Sequence, residues 1–339
     1  MPLDLTPTQR QRVRGVTLVE LMVALAVSMV VALAALAALN IARQGFTVND
    51  SAAQLRENGR FVSDLLQRLV VQTGFKDLSY ATTPRPTNVA GLVSNPPPAI
   101  YGLNNRSRVS TDAWDAGTAW TSGATGYGSD ILVLRFQPSS NSSTATAADG
   151  SMINCNGESL TTLPTNRDDR AISILHVGTD SDGEPSLMCS SIPVNSSTVT
   201  QTTLVRGVEN FQVLYGVDGI APGNTSTTSP STAPNLPDRY LRADQLTVSN
   251  LAASYFNWRR VRSVRIGLVL RSPPGQSPDV TSATFLPFGV GKSSSTAADG
   301  SAFASTDDPG TTASENTFTD TRFRRAVTFT IHLRNDQGS

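Results

Sequence analysis

From Leu21 to Leu39 the chain reads LMVALAVSMVVALAALAAL, nineteen residues in which Ser28 is the only polar side chain. Wound as an α-helix, the run is about 28 Å long, close to the hydrocarbon thickness of a bilayer. The fifteen residues that open the chain, MPLDLTPTQRQRVRG, are polar, carry Arg10, Arg12 and Arg14, and end in Gly15. Arginines ahead of a spanning segment predict a cytoplasmic leader and a chain that continues on the far side of the membrane.

Leader and apolar run are joined by Gly15-Val16-Thr17-Leu18-Val19-Glu20. A carboxylate at the mouth of an apolar helix is costly in lipid: a charge at the membrane centre costs about 2.5–3.5 kcal/mol on insertion scales, less near an end. Such a group needs a partner. Cleavage after Gly15 would make Val16 the new terminus and Glu20 its fifth residue. The carboxylate would then sit near the positive end of a helix dipole and pair with a terminal ammonium, its own or a neighbour's.

The stretch RGVTLVELMVALAV resembles the processing and methylation motif of type IV prepilins and type II secretion pseudopilins. In those families a membrane-embedded aspartic prepilin peptidase cuts after the glycine, on the cytoplasmic side, and then N-methylates the new first residue. The resemblance implies that Gly15 precedes the cut, that Val16 is the methylated terminus, and that Glu20 with Thr17 registers subunits during assembly. Val16 stands where major pilins usually carry phenylalanine, a variation the motif tolerates. Two other readings compete. Ala35-Leu36-Ala37 resembles a signal peptidase site, but the run is long for a secretory signal and Glu20 would then have no purpose. A plain membrane anchor leaves the glutamate equally unexplained.

Beyond Leu39 the helical pattern turns amphipathic. Leu55, Val62, Leu66 and Leu69 recur at helical spacing, with Arg56, Glu57, Arg60, Asp64 and Arg68 between them. Thr73-Gly74 is the expected stop, the glycine supplying a left-handed cap. The expected organisation is a leader at 1–15, a helix at 16–73 that spans the membrane over about 18–39, and a periplasmic head at 74–339. Two helices that break near Gly45 are the alternative. Residues Gln54 to Phe75, QLRENGRFVSDLLQRLVVQTGF, resemble the matching region of PilW-type minor pilins. Asn58-Gly59 in mid-helix calls for a reason, since glycine there costs about 1 kcal/mol against alanine. Close approach of another backbone, in the head or in a neighbouring subunit, is the expectation, and local flexibility the alternative.

The rest of the chain is rich in Ser, Thr, Gly, Pro and Ala and poor in aromatics, a composition that suits a β-rich extracytoplasmic head. Residues 76–128 read as a long irregular connection packed by Trp114, Trp120 and Tyr127. Strand-like alternation follows at Asp130–Phe136, Ala171–Val177, Gly207–Val217, Val261–Leu270 and Ala326–Leu333. In the last, Val327, Phe329, Ile331 and Leu333 share one face, and Thr328, Thr330 and His332 the other. A sheet with one wet face follows, its apolar face turned to the amphipathic half of the helix. GVENFQVLYGVD, NWRRVRSVRIGLVLRS with Trp258, and RRAVTFTIHLRN again resemble the PilW-type head. The fold expected is therefore α+β and type IV pilin-like, a long N-terminal helix on an antiparallel sheet with long loops. The loops at 138–151, 221–237 and 291–317 have no counterpart in that family. AADGS, at 147–151 and again at 297–301, is shared low complexity.

Cys155 and Cys189 flank a turn-rich stretch and could be a metal half-site, a redox couple or a disulfide. Their spacing is too wide for a CxxC redox site, and metal binding needs more ligands than His176 and His332 supply. In an extracytoplasmic head the disulfide is the expected outcome. Asp180-Ser181-Asp182-Gly183-Glu184 begins like a calcium loop but lacks the later ligands, so a tight Asx turn is expected. His176 reads as an ordinary satisfied histidine. Arg259, Arg260, Arg262 and Arg265 form a local basic patch, either a solvated face or a docking surface for an acidic neighbour. No P-loop, GxSxG or HExxH is present, and neither an enzyme nor a cofactor is expected. With 27 basic against 27 acidic residues and no long basic stretch, direct nucleic-acid binding has no electrostatic support.

By resemblance, then, the chain is a minor pilin that helps prime type IV pilus assembly, with consequences for pilus biogenesis, twitching motility and adhesion. Its implied partners are the prepilin peptidase and methylase, other minor pilins and the major pilin, a PilY-type tip adhesin, and the inner membrane, from which it would pass to the pilus or its tip. A J-like minor pseudopilin of type II secretion and a tip-displayed adhesin module are the alternatives.

Overall fold

The computed structural model describes residues 15–84, 97–121, 123–220, 236–237, 239–277, 283–285, 287–288, 317–318 and 320–335. The leader before Gly15 and nearly all of the segments 221–237 and 291–317 lie outside the described residues. Two units make up the chain, Met1–Asp50 and Ser51–Ser339.

In the first unit, helix α1 (Leu18–Gln72) begins at the apolar run and passes Gly45 without a break. Alanine and leucine dominate it, residues that lose little side-chain freedom in a helix, and the valines of the apolar run are carried with them. Every residue from Val16 to Phe46 is exposed, with Leu21 at 55% and Phe46 at 76%. Ser28 satisfies its hydroxyl within the helix, donating to the Ala24 carbonyl at 2.6 Å. By length and composition this segment can cross a membrane, its most apolar window having a mean hydropathy of 2.6 and no buried residue.

In the second unit the same helix has one buried face: Ser51, Leu55, Gly59, Val62, Leu66, Leu69 and Val70. Apart from the adjacent pair Leu69 and Val70, they recur at steps of three and four residues, as the sequence pattern predicted. The helix ends where Gly74 takes a φ of +80° and donates its N–H to the Arg135 carbonyl at 3.0 Å. Gly59 is explained differently from expectation. A Cβ there would lie 3.0 Å from Val327 Cγ2 and 3.5 Å from Leu270 Cδ1, so the close neighbours are side chains, not another backbone.

The head continues with β1 (Ile100–Leu103), β2 (Arg106–Ser107), β3 (Thr118–Ala119), β4 (Ile131–Phe136), β5 (Ala171–Thr179), β6 (Pro185–Ile192), β7 (Thr200–Arg206), β8 (Val208–Val217) and β9 (Arg239–Leu241). Helices α2 (Ala243–Leu246) and α3 (Leu251–Arg259) come next, then β10 (Val261–Arg271), β11 (Ala283–Thr284), β12 (Thr317–Phe318) and β13 (Arg324–His332). Two antiparallel sheets dominate: one in the order β1-β4-β5-β6-β7, the other β13-β10-β8-β9. The chain moves from the first to the second through a single residue. Gly207, at φ +76°, donates to Pro185 in the first sheet (2.8 Å) and accepts from Arg271 N in the second (2.7 Å). A Cβ on Gly207 would stand 2.5 Å from the Arg271 carbonyl oxygen, so no other residue fits that corner.

The core lies where both sheets meet the helix, with Leu66 and Leu69 beside Val133 and Ile174 of the first sheet and Phe211, Ile266 and Leu268 of the second. Strand β13 shows the expected alternation, Val327, Phe329 and Ile331 inward and Thr328, Thr330 and His332 exposed. Strand β8 does not: it is buried on both faces along its whole length. The connection before β4 also holds more order than its composition announced. Strand β1 pairs with β4, and Tyr101 packs on Trp114 and Trp258 with ring centroids 5.6 and 4.9 Å apart.

Candidate functional site

The first site is the start of α1. Thr17 and Glu20 form a reciprocal cap. Glu20 Oε2 accepts from the Thr17 backbone N–H (2.9 Å) and hydroxyl (3.0 Å), and Thr17 Oγ1 accepts from the Glu20 N–H (3.2 Å). The pattern Thr-x-x-Glu at the head of an apolar run is a capping box, readable from sequence and not drawn from it above. It answers two of the helix's orphan N–H groups and aligns the carboxylate with the positive end of the dipole. Val16 is 70% exposed, so none of the described residues covers the residue next to Gly15.

The second site is an ion-pair network where the two sheets and the helix come together. Arg206, at the end of β7, pairs with Asp180 at 2.6 Å and also with Asp182. Glu184 takes Arg271 at 2.7 Å and Arg322 at 3.1 Å. Glu209, with 5% of its side chain exposed, binds Arg271 and Arg324, each at 2.6 Å, and Arg324 goes on to Asp320 at 2.5 Å. Burial pulls the Glu184 carboxyl up, but hydrogen bonds from Arg271 and Arg322 outweigh it and leave its pKa below the usual range. The bond from Arg324 likewise holds Asp320 down. A cleft of about 330 Å³ opens beside the network, between Gln54, Leu55 and Asn58 of α1 and the segments Arg206–Gly207 and Arg271–Pro274.

The turn that resembled a calcium loop is an Asx turn. Asp180 Oδ1 accepts from the N–H groups of Asp182 and Glu184, at 2.9 and 3.0 Å, and Arg206 supplies the positive charge. Among the described residues no three His, Cys, Asp or Glu side chains converge as a metal site. The basic patch is partly drawn into the head, with Arg259, Arg262 and Arg265 half-buried. Arg260 is 6% exposed and faces Asp218, Arg262 faces the same carboxylate, and Arg265 lies over the Tyr240 ring at 3.9 Å. Cys155 and Cys189 are joined by a disulfide with Cα atoms 5.8 Å apart.

His176 is fully buried in β5, with Nε2 3.1 Å from Ser190 Oγ. Burial pulls its pKa down to about 4, only partly countered by the Val177 carbonyl. The unfolded chain would take up this proton near the ordinary 6.5, the folded head only near 4. Stability is therefore expected to fall as pH drops from about 6.5 to about 4, by roughly 3 kcal/mol in all, with no further loss from this group below that. Urea midpoints measured across this range should slope in the wild type and stay nearly level in His176→Gln. Equal slopes would place the proton uptake elsewhere.

Comparison with known proteins bears on both ends of the chain. Residues 174–335 match the family model of type IV pilus-assembly protein W. Residues 10–36 match that of the prokaryotic N-terminal methylation motif. Among solved structures, a type IV-like pilin from Thermus thermophilus aligns over 84% of this chain and 98% of its own, at 12% identity and a TM-score of 0.38. No match is found among the curated proteins. The chain thus joins an exposed apolar helix, which carries the methylation motif, to an α+β head. More narrowly, residues 174–335 are similar to type IV pilus-assembly protein W.

Proposed function

We propose that this chain is a minor pilin that is cut after Gly15, methylated on Val16 and built into the priming complex of a type IV pilus. The observation that carries the reading is the pairing, in one chain, of the methylation motif at 10–36 with the PilW match at 174–335. In this reading residues 1–15 are the leader, 16–73 the spine with its membrane span at about 18–39, and 74–339 the periplasmic head. Prepilin peptidase supplies the chemistry, and the subunit is its substrate. The uncut precursor waits in the inner membrane with its leader in the cytoplasm.

Cleavage leaves an ammonium on Val16, next to the residue whose N–H and hydroxyl already hold Glu20 Oε2. The cap keeps that carboxylate at the helix mouth, where it can offset the terminal ammonium of a neighbouring pilin as the apolar helices bundle. Thr17 and Glu20 together set the register. Pilus biogenesis, twitching motility and adhesion would follow from assembly, with other minor pilins, the major pilin and a PilY-type tip adhesin as neighbours.

The test is mass spectrometry of the protein from cells that make pili. The expected mature chain begins at N-methylated Val16, and Glu20→Ala is expected to be cut normally yet recovered in sheared pili at no more than about a tenth of the wild-type amount, the effect of about 1.4 kcal/mol. A chain starting at Met1 or after Ala37 would defeat the reading, as would normal incorporation of Glu20→Ala.

A further inference from the structure

The cleft in the head has two properties that the reading above does not use. The side-chain amides of Gln54 and Asn58, one helical turn apart on α1, line it, and neither has a hydrogen-bond partner among the described residues. Its charges are already spoken for: Arg206 is held by Asp180 and Asp182, and Arg271 by Glu184 and Glu209. An anion would meet arginines that are matched, and a cation would meet carboxylates that are matched. What remains is a pair of groups that each donate and accept, above an apolar floor of Leu55, Pro273 and Pro274. That is the complement of a polypeptide main chain with neutral side chains.

An open strand leads to the same place. β7 ends the five-stranded sheet, paired with β6 on one side and with no strand on the other among the described residues. Its last residue, Arg206, is a wall of the cleft. Edge strands are ordinarily blunted by charge, proline or cover. Here Thr200, Gln201 and Thr202 are exposed and uncharged, the two threonines favour a strand, and the one charge sits at the cleft end.

We propose that β7 and the cleft form one docking track for an extended, neutral polypeptide segment of a neighbouring subunit, which adds to the sheet as a strand and finishes with its main chain against Gln54 and Asn58. The idea rests on the minor-pilin reading for the neighbour's origin, but the geometry of the track does not depend on it.

The test places the photo-crosslinker p-benzoylphenylalanine in the full-length chain, in cells that make pili, at Thr202 and at Asn58, with the exposed Leu78 as control. Adducts from both track positions are expected to map to one contiguous stretch of one partner protein. Gln54→Ala and Asn58→Ala together should lower the Thr202 adduct about tenfold, the effect of two lost hydrogen bonds. Adducts spread over many sequences, confined to a partner's helix, made with lipid, no stronger than those from Leu78, or unchanged in the double variant would each overturn the proposal. Sheared pili are probed in parallel. A subunit present in pili without the mapped adduct sinks the track and spares the minor-pilin reading; one absent from pili that keeps the adduct does the reverse.

Discussion

Replacing Cys155 and Cys189 together by alanine is expected to lower the stability of the head by roughly 4 kcal/mol, the chain-entropy value for a loop of this size. The bridge spans 34 residues and ties the turn containing the Ile153–Ser159 bridge to the middle of β6. Cys189 faces Leu175 on β5 and Thr202 on β7, so the cross-link is anchored at a three-stranded centre that cannot shift easily. Both cysteines are buried, at 1% and 0% exposure. A reductant should therefore reach the sulfurs only through unfolding, and thiol labelling in native buffer should be slow. Urea unfolding of the purified full-length chain, with and without reductant, checks both statements. A midpoint that does not move on reduction would show that the loop is already ordered without its cross-link.

Glu209→Ala should cost about as much, roughly 3–5 kcal/mol, the usual penalty for removing one member of a buried ion pair. Among the described residues, Glu209 is the one carboxylate shared by Arg271 and Arg324, through bonds of 2.6, 2.6 and 3.0 Å. Without it Arg271 keeps Glu184 and Arg324 keeps Asp320, but two guanidinium groups are left facing a space that offered both a counter-charge. The damage should concentrate where β8, β10 and β13 meet, and hydrogen exchange should quicken in β13 first. Arg324→Met in the Glu209→Ala background should recover part of the loss, because it removes one of the stranded charges. The network also fixes a sign for acid. Glu184 and Asp320 titrate below their usual ranges when folded, so their contribution is present above about pH 4.5 and is lost as pH falls through the folded values. That loss overlaps the His176 window only between about pH 4.5 and 4 and continues below it, so a single pH series separates the two.

The one-dimensional patterns were readable in the chain itself. An apolar run with a single carboxylate at its mouth, three arginines before it and heptad-like leucines after it define a spine, because helix periodicity needs only local spacing. The alternation in β13 was equally plain, since that strand has one wet face and each second residue must be polar. What local spacing does not hold is which faces become buried twice. β8 looked like the others until both of its faces were covered, and β6, with Ser186, Ser190 and Ser191 among its eight residues, does not read as a strand outside its sheet. Composition misled most clearly at the arginines after Trp258. Four positive charges in seven residues look solvent-facing, yet Arg260 and Arg262 turn inward because Asp218, forty-two and forty-four positions earlier, meets them there.

The sequence by itself determined the long apolar helix, the match to the N-terminal methylation motif and the β-rich character of the head, all of them properties of neighbours along the chain. Tertiary structure alone decided that the strands form two sheets turning at Gly207, that Gly59 yields to Val327 and Leu270, and that the arginines of the head are spent on one another's carboxylates. The reason is range: hydrophobic period and helix capping act over a few residues, whereas burial and charge pairing depend on groups that only the folded chain brings together.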